Sequence, residues 1–285
     1  MTPRGKLASA DQPIGVFDSG VGGLSVLNAL RHELPQERFV YFADIAHAPY
    51  GERGDAYVAE RSSAVAHYLL DMHRIKALVV ACNTATAAAI HRIRAEHPGL
   101  PVVGVEPALK PAVALSRTGH IAVMATRGTV ESRKFNTLRA ALDGQANFHV
   151  VPCDGLAGAI ERSDLPTIAV LCQQYAEAAG RYGNRPSQID TLVLGCTHYP
   201  FIADELRQHT GDEVRFIDTG APVAQQTRRL LAQAGQLSDE GDGAVLLVGS
   251  AAPELLDAAA SRWLDLPAAR ASIAAASHAA AAASA

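Results

Sequence analysis

The chain has 285 residues, of which 48% are hydrophobic and 19% charged, and a formal net charge of −4. That balance gives no reason to expect a nucleic-acid or membrane-surface partner; no apolar run reaches the ~20 residues of a membrane span, and the N-terminus lacks the apolar stretch of a signal peptide. The length suits a large core and two domains, and the four cysteines (Cys82, Cys153, Cys172, Cys196) are expected as reduced thiols of a cytoplasmic protein rather than as a disulfide framework.

Taken in order, residues 1 to 12 are small and polar and predict a loose leader. Ile14-Gly15-Val16-Phe17 predicts a strand running into Asp18-Ser19-Gly20-Val21-Gly22-Gly23, a turn that opens a helix from about Leu24 to Glu33. Glycines there let backbone N–H groups approach an anion at a helix N-terminus, although the spacing is not G-x-G-x-x-G. A second strand, Phe39 to Phe42, leads into the loop Ala43 to Gly54, which holds Asp44, Pro49, Tyr50 and Gly51. A helix of about Ala56 to His73, a strand Ala77 to Val80 and a helix of about Ala85 to His97 follow. Val102 to Val105 closes this half, with a crossing at Glu106-Pro107.

The pattern then restarts with the strand Ile121 to Met124, the stretch Ala125-Thr126-Arg127-Gly128-Thr129 and a helix of about Val130 to Leu142. The strand Phe148 to Val151, helices near 155–162 and 166–182, the strand Thr191 to Leu194 and a helix of about Phe201 to His209 complete it. Val214 to Ile217 is a further strand; Asp218 or Thr219 would cap the helix of about Pro222 to Ala234. A last strand, Ala244 to Val248, precedes one more helix, and the Ala/Ser-rich run from about Ala268 predicts a frayed tail.

Strands alternating with helices predict an α/β fold with parallel sheets. Strand starts Ile14 and Ile121 lie 107 residues apart, and Cys82 and Cys196 lie 114 apart. The expectation is two similar, pseudo-twofold-related α/β domains whose sheets are flanked by helices, with the active site in the cleft between them. Each of the two cysteines follows a buried apolar strand, and ligands of parallel sheets bind beyond the carboxyl ends of strands. Two thiols thus converge on one substrate. A thiolate on one face of a substrate carbon can remove a proton while a thiol on the other face returns one, which inverts a stereocentre. His198 would assist Cys196, and Asp18, at a neighbouring strand end, would assist Cys82. Asp18 could equally cap the turn that follows it, and Tyr50 could simply pack. Cys153 and Cys172 read as core thiols.

Racemases of amino acids often use pyridoxal phosphate, which needs a Schiff-base lysine. The four lysines, Lys6, Lys76, Lys110 and Lys134, lie outside the glycine and cysteine stretches, so a cofactor-free site is expected. Such a site must stabilise the carbanion with preorganised donors, for which Ser19, Asn83, Thr84, Thr129, Thr197 and nearby backbone N–H groups are suited. Apart from His198, the histidines show no metal-ligand spacing in sequence, and no metal is expected.

Asp-Ser-Gly-Val-Gly-Gly at 18–23, Pro-Tyr-Gly at 49–51, Ala-Cys-Asn-Thr-Ala at 81–85 and Gly-Cys-Thr-His-Tyr-Pro at 195–200 resemble the glutamate racemase family, over roughly residues 14–234. The resemblance implies cofactor-independent interconversion of L- and D-glutamate for bacterial peptidoglycan, with Cys82 acting on the D-enantiomer, Cys196 on the L-enantiomer, and Asp18 and His198 assisting. Substrate contacts would come from Asp18, Ser19, Tyr50, Gly51, Asn83, Thr84, Thr129 and Thr197. It implies a homodimer or a monomer–dimer equilibrium, and a discontinuous first domain of residues 14–106 and 214–265 around a second domain of 107–213, with loose termini at 1–13 and 266–285. One stretch departs from the family pattern: Pro152-Cys153-Asp154-Gly155 replaces a more apolar loop, while Glu161 keeps its spacing of eight residues from Cys153. Rival functions are an aspartate or hydantoin racemase, a maleate isomerase, or a non-catalytic regulator on the same scaffold; a metal-dependent hydrolase lacks clustered ligands in the sequence.

Overall fold

A computed structural model describes residues 9–264 and 271–275 of the chain. The first strands, β1 (Ile14–Asp18), β2 (Phe39–Ala43), β3 (Ala77–Val80) and β4 (Val102–Gly104), are linked by α1 (Leu24–Glu33), α2 (Asp55–His73) and α3 (Asn83–Glu96). After α4 (Leu109–Leu115), β5 (His120–Ala125) leads to α5 (Arg127–Glu131), α6 (Arg133–Ala140), β6 (Asn147–Pro152), α7 (Leu156–Glu161), α8 (Leu165–Ala179) and β7 (Thr191–Leu194). Then come α9 (Ala203–Thr210), β8 (Arg215–Ile217), α10 (Gly220–Ala234), β9 (Val245–Gly249), α11 (Pro253–Trp263) and β10 (Ala271–Ala275).

All strand pairs are parallel, in a six-stranded sheet of order β10-β9-β2-β1-β3-β4 and a four-stranded sheet of order β6-β5-β7-β8. The duplication is visible in the pairing. Ile14 lies opposite Phe39 and Ala77, as Ile121 lies opposite Phe148 and Thr191. Thus β2-β1-β3-β4 repeats as β6-β5-β7-β8, and Cys82 and Cys196 each stand two residues beyond equivalent strands, β3 and β7. The strands are apolar along their length because helices cover both faces: β1, β2, β3 and β7 are buried at every position.

Three expectations change. The strand at 214–217, assigned with the first domain, is hydrogen-bonded to β7 in the second sheet, because it is the fourth strand of the second repeat. The chain rejoins the first sheet's layer only with α10, which packs on α1. The single helix expected over 130–142 is two helices, broken at Ser132, whose extended backbone lets its hydroxyl cap the Phe135 N–H. Within the tail expected to fray, Ala271–Ala275 pairs with β9 as an edge strand. An edge strand needs backbone bonds on one side only, so composition scarcely marks it. Residues 1–8, 266–270 and 276–285 of the loose termini, together with residue 265, lie outside the described residues, whereas the leader at 9–13 is tied down, with Lys76 Nζ donating to the Ala10 carbonyl.

Candidate active site

The carboxyl ends of β1, β3, β5 and β7 face one cavity of about 580 Å³, counting the space at its mouth. Asp18, Ser19, Tyr50, Gly51, Cys82, Asn83, Thr84, Cys196, Thr197 and His198 all line it, so nearly every residue expected at the site meets there. Glu161, Thr126, Arg127 and Cys153 complete much of the wall. Arg127 is the single Lys or Arg among the lining residues, and it is held by Asp154 and Glu131.

The two thiols have different surroundings. Cys82 is the N-cap of α3, its sulfur accepting the Ala85 N–H at 3.5 Å. Its S–H donates to Ser19 Oγ at 3.8 Å, and Ser19 Oγ–H donates to Asp18 Oδ1 at 3.3 Å. Asp18 therefore reaches Cys82 through Ser19, and also fixes the glycine turn by accepting the N–H groups of Ser19 (2.7 Å) and Gly23 (2.5 Å). Burial, reinforced by the Asp18 charge, pushes the Cys82 thiol well above its usual range, against the pull of the Ala85 N–H and Ser19. Cys82 thus rests as a thiol.

Cys196 lies 3.5 Å from His198 Nδ1, and His198 Nε2 lies 2.6 Å from Glu161 Oε1. The same Glu161 oxygen accepts the Val21 N–H at 2.9 Å, so a residue of the second repeat is anchored on the first repeat's glycine turn. Burial disfavours the imidazolium, but the Glu161 charge and the hydrogen bonds to Cys196 and Glu161 outweigh it and hold His198 well above the usual histidine value. Glu161 is itself pushed up by burial yet lowered overall by His198 and the Val21 N–H. The result is a buried carboxylate–imidazolium pair with one N–H left for the Cys196 sulfur.

The glycines of the 18–23 turn serve this pairing. A Cβ on Gly20 would stand 1.9 Å from Glu161 Oε1, and one on Gly22 would stand 2.4 Å from His198 Nδ1. They allow close approach between the two repeats, and the anion that the turn's backbone meets is the Glu161 carboxylate, at the Val21 N–H. Gly51 is also a close-approach residue, since its Cβ would meet Thr126 at 3.0 Å.

Asn83 has both amide atoms buried without a partner, as expected of a group that awaits a ligand. Tyr50 lines the cavity while its hydroxyl donates to Asp44 Oδ2 at 2.6 Å, and Asp44 is clamped by Arg61 at 3.0 and 3.2 Å. Its hydroxyl is therefore committed to Asp44. Thr129 lies one layer back. Its hydroxyl bonds Thr126 Oγ1 at 2.9 Å, and Thr126 Oγ1 bonds Thr84 Oγ1 at 3.1 Å, so Thr126 is the threonine on the wall. Sequence reasoning missed Thr126, although the register pairs it with Ser19, each following the last residue of a central strand. Cys172 is a core thiol of α8, whereas Cys153 is both packed in the core and part of the cavity wall.

A family model described as Asp/Glu/hydantoin racemase matches residues 15–227. A glutamate racemase of Pseudomonas syringae pv. tomato is 46% identical over 230 residues, 80% of this chain and 82% of that protein. Among solved structures, a glutamate racemase isoform of Bacillus anthracis superposes with a TM-score of 0.81 at 30% identity, covering 93% of this chain and 97% of the other. The Escherichia coli glutamate racemase, in complex with L-glutamate and the activator UDP-MurNAc-ala, gives 0.76 at 32% identity, covering 88% and 95%. With both cysteines at equivalent strand ends of a repeated parallel sheet, and with this breadth of match, the chain belongs to the aspartate/glutamate/hydantoin racemase family.

Proposed function

We propose that the chain interconverts L- and D-glutamate without a cofactor, with Cys82 and Cys196 as the two acid–base groups. The observation that carries this is the delivery of two thiols into one cavity from equivalent strands of the two repeats, each with its own proton-handling partner. In one direction a thiolate takes the Cα proton, the C–H electron pair passes into the substrate α-carboxylate, and the opposite thiol protonates the other face of Cα. Donors at Asn83, Thr84, Thr126, Thr197 and the α3 N-terminus oppose the charge that builds on that carboxylate. His198, held by Glu161, exchanges the proton with Cys196; Ser19 and Asp18 do so for Cys82. By the family resemblance, Cys196 acts on L-glutamate and Cys82 on D-glutamate. Binding of L-glutamate by the E. coli neighbour favours glutamate over aspartate.

The same proposal places the enzyme in the cytoplasm, as a source of D-glutamate for peptidoglycan, as a homodimer or a monomer–dimer equilibrium. No helix among the described residues is long and apolar enough to cross a membrane. It also divides the chain into a first domain interrupted by a second, with crossings near 106–108 and 218–219.

Circular dichroism of each glutamate enantiomer, with aspartate as the control, tests the activity. The signal should decay to zero from both sides without added metal or cofactor. Cys82→Ser and Cys196→Ser should each lower kcat by at least about 10²-fold. Run in D2O, product should carry deuterium at Cα before the remaining substrate does, as two separate bases require. Turnover of aspartate alone, or wild-type rates in either serine variant, would overturn the assignment.

A further inference from the structure

On the first repeat, away from the cavity, α2 and the end of α3 bring together His67, Glu96 and His97. One ligand atom from each lies within 4.8 Å of the others, the one such cluster among the described residues. The residues come from segments that sequence spacing cannot connect. His67 lies one turn after Ser63 and one turn before Asp71 on the α2 face, Glu96 ends α3, and His97 is its C-cap. The 14-residue helix between Cys82 and this end is about 20 Å long, so the cluster is separate from the catalytic thiols.

The state of each group suits a cation. His67 Nδ1 lies 2.8 Å from the Ser63 carbonyl, which can only accept, so Nδ1 carries the proton and Nε2 keeps a lone pair. A backbone carbonyl on one imidazole nitrogen is the usual way a ligating histidine is oriented. His97 Nε2 is buried with no hydrogen-bond partner, an orphan that needs explaining. The two rings meet edge to face with centroids 4.8 Å apart. Glu96 is oriented by Arg92, whose Nε donates to Oε1 at 2.7 Å.

We propose that His67, Glu96 and His97 form a surface site for zinc or a similar first-row divalent cation, clamping α2 to the C-terminal end of α3. Two imidazoles and one carboxylate are a borderline donor set, which favours zinc over calcium or magnesium, and water would take the fourth position. Zinc bonds of about 2.0–2.2 Å need the donor atoms closer than their present spacing. Glu96 and His67 stand at the surface, where small side-chain adjustments close that gap while His67 Nδ1 keeps the Ser63 carbonyl. The clamp joins the helix that carries Arg61 to the helix capped by Cys82.

Equilibrium dialysis of zinc against the full chain, stripped with chelator, tests the site. Wild-type protein should hold one zinc equivalent whose affinity falls at least about tenfold in His67→Ala, in His97→Gln and in Glu96→Gln. Saturating zinc should raise the wild-type Tm, and His67→Ala should abolish that rise. Cobalt substitution separates this site from the thiols: the equivalent lost in His67→Ala should lack thiolate-to-cobalt charge-transfer absorption. If His97→Gln fails to fold, the exposed His67→Ala carries the test alone. Unchanged zinc binding in that variant, or an equivalent that disappears with Cys82→Ser or Cys196→Ser instead, would overturn the site.

Discussion

Glu161 shows how one side chain sets another's chemistry. Its carboxylate touches His198 and the Val21 N–H, while His198 faces Cys196, so Glu161 acts as a positioning residue. Glu161→Gln keeps the volume but removes the charge that sustains the imidazolium. The expected outcome is a fall in kcat of about 10- to 100-fold with little change in KM, and a shift of the His198 limb of the pH–rate profile to lower pH. An unshifted profile would reduce Glu161 to packing. The pair also links stability to pH. The raised His198 contributes fully below its ordinary 6.5 and loses that contribution as pH climbs through the raised value. The lowered Glu161 contributes fully above 4.5 and loses it as pH falls through the lowered value. The stability difference between wild type and a Glu161→Gln/His198→Gln double variant should therefore be largest between those values and shrink on either side, as urea midpoints at several pH values would reveal.

At the scale of the element, the 18–23 turn joins β1 to α1 and accommodates the second repeat. Tyr41 donates to the Gly20 carbonyl at 2.7 Å, and Ser25 Oγ donates to both the Gly22 and Thr197 carbonyls, so the turn is braced from below and across the cleft. Gly22→Ala would push against His198 Nδ1 rather than against a yielding surface group. Its kcat/KM should drop on the order of 10²-fold, while the Tm moves only slightly, because α1 and its packing are untouched. Steady-state kinetics beside a thermal melt would check both halves. Near-normal turnover would mean that His198 has room to retreat. The pattern of apolar positions located α1 to the residue, since Leu24, Val26, Leu27 and Leu30 are its buried face. It missed the break at Ser132, because a serine capping the next helix interrupts no hydrophobic period.

Across the whole molecule, contacts between residues distant in sequence join the repeats beyond the active site. Phe201 of the second repeat stacks on Trp263 with centroids 4.2 Å apart, Trp263 itself being tied to the first repeat by Asn28, which donates to its carbonyl, and Lys134 pairs with Glu106 near the crossing. The amino ends of the first sheet's strands depend on a buried ion pair, Lys76 Nζ to Glu37 at 2.6 Å, with both side chains almost wholly covered. The same ammonium donates to the Gln236 carbonyl, and Glu37 accepts the Ser238 N–H. Lys76→Met should cost about 3 kcal/mol by urea denaturation, because it strands the Glu37 carboxylate. Adding Glu37→Leu should recover much of that loss. If the single and double variants are equally unstable, the backbone contacts of Lys76 outweigh its charge.

The sequence by itself determined the alternation of strand and helix, the repeat, the two strand-end thiols and most of the cavity wall. Those features are local: periodic burial sets the element type, and a residue just beyond a buried parallel strand must emerge at the ligand end of the sheet. Only the tertiary structure decided which groups are partners. It set Glu161 against His198 across 37 residues, committed the Tyr50 phenol to Asp44, put Thr126 rather than Thr129 on the wall, and gave the second sheet its fourth strand. It also assembled His67, Glu96 and His97 from two helices. Such pairings depend on how two packed units approach each other. Close approach at Gly20 and Gly22 is a property of the gap between them, and no local pattern in either unit records the width of that gap.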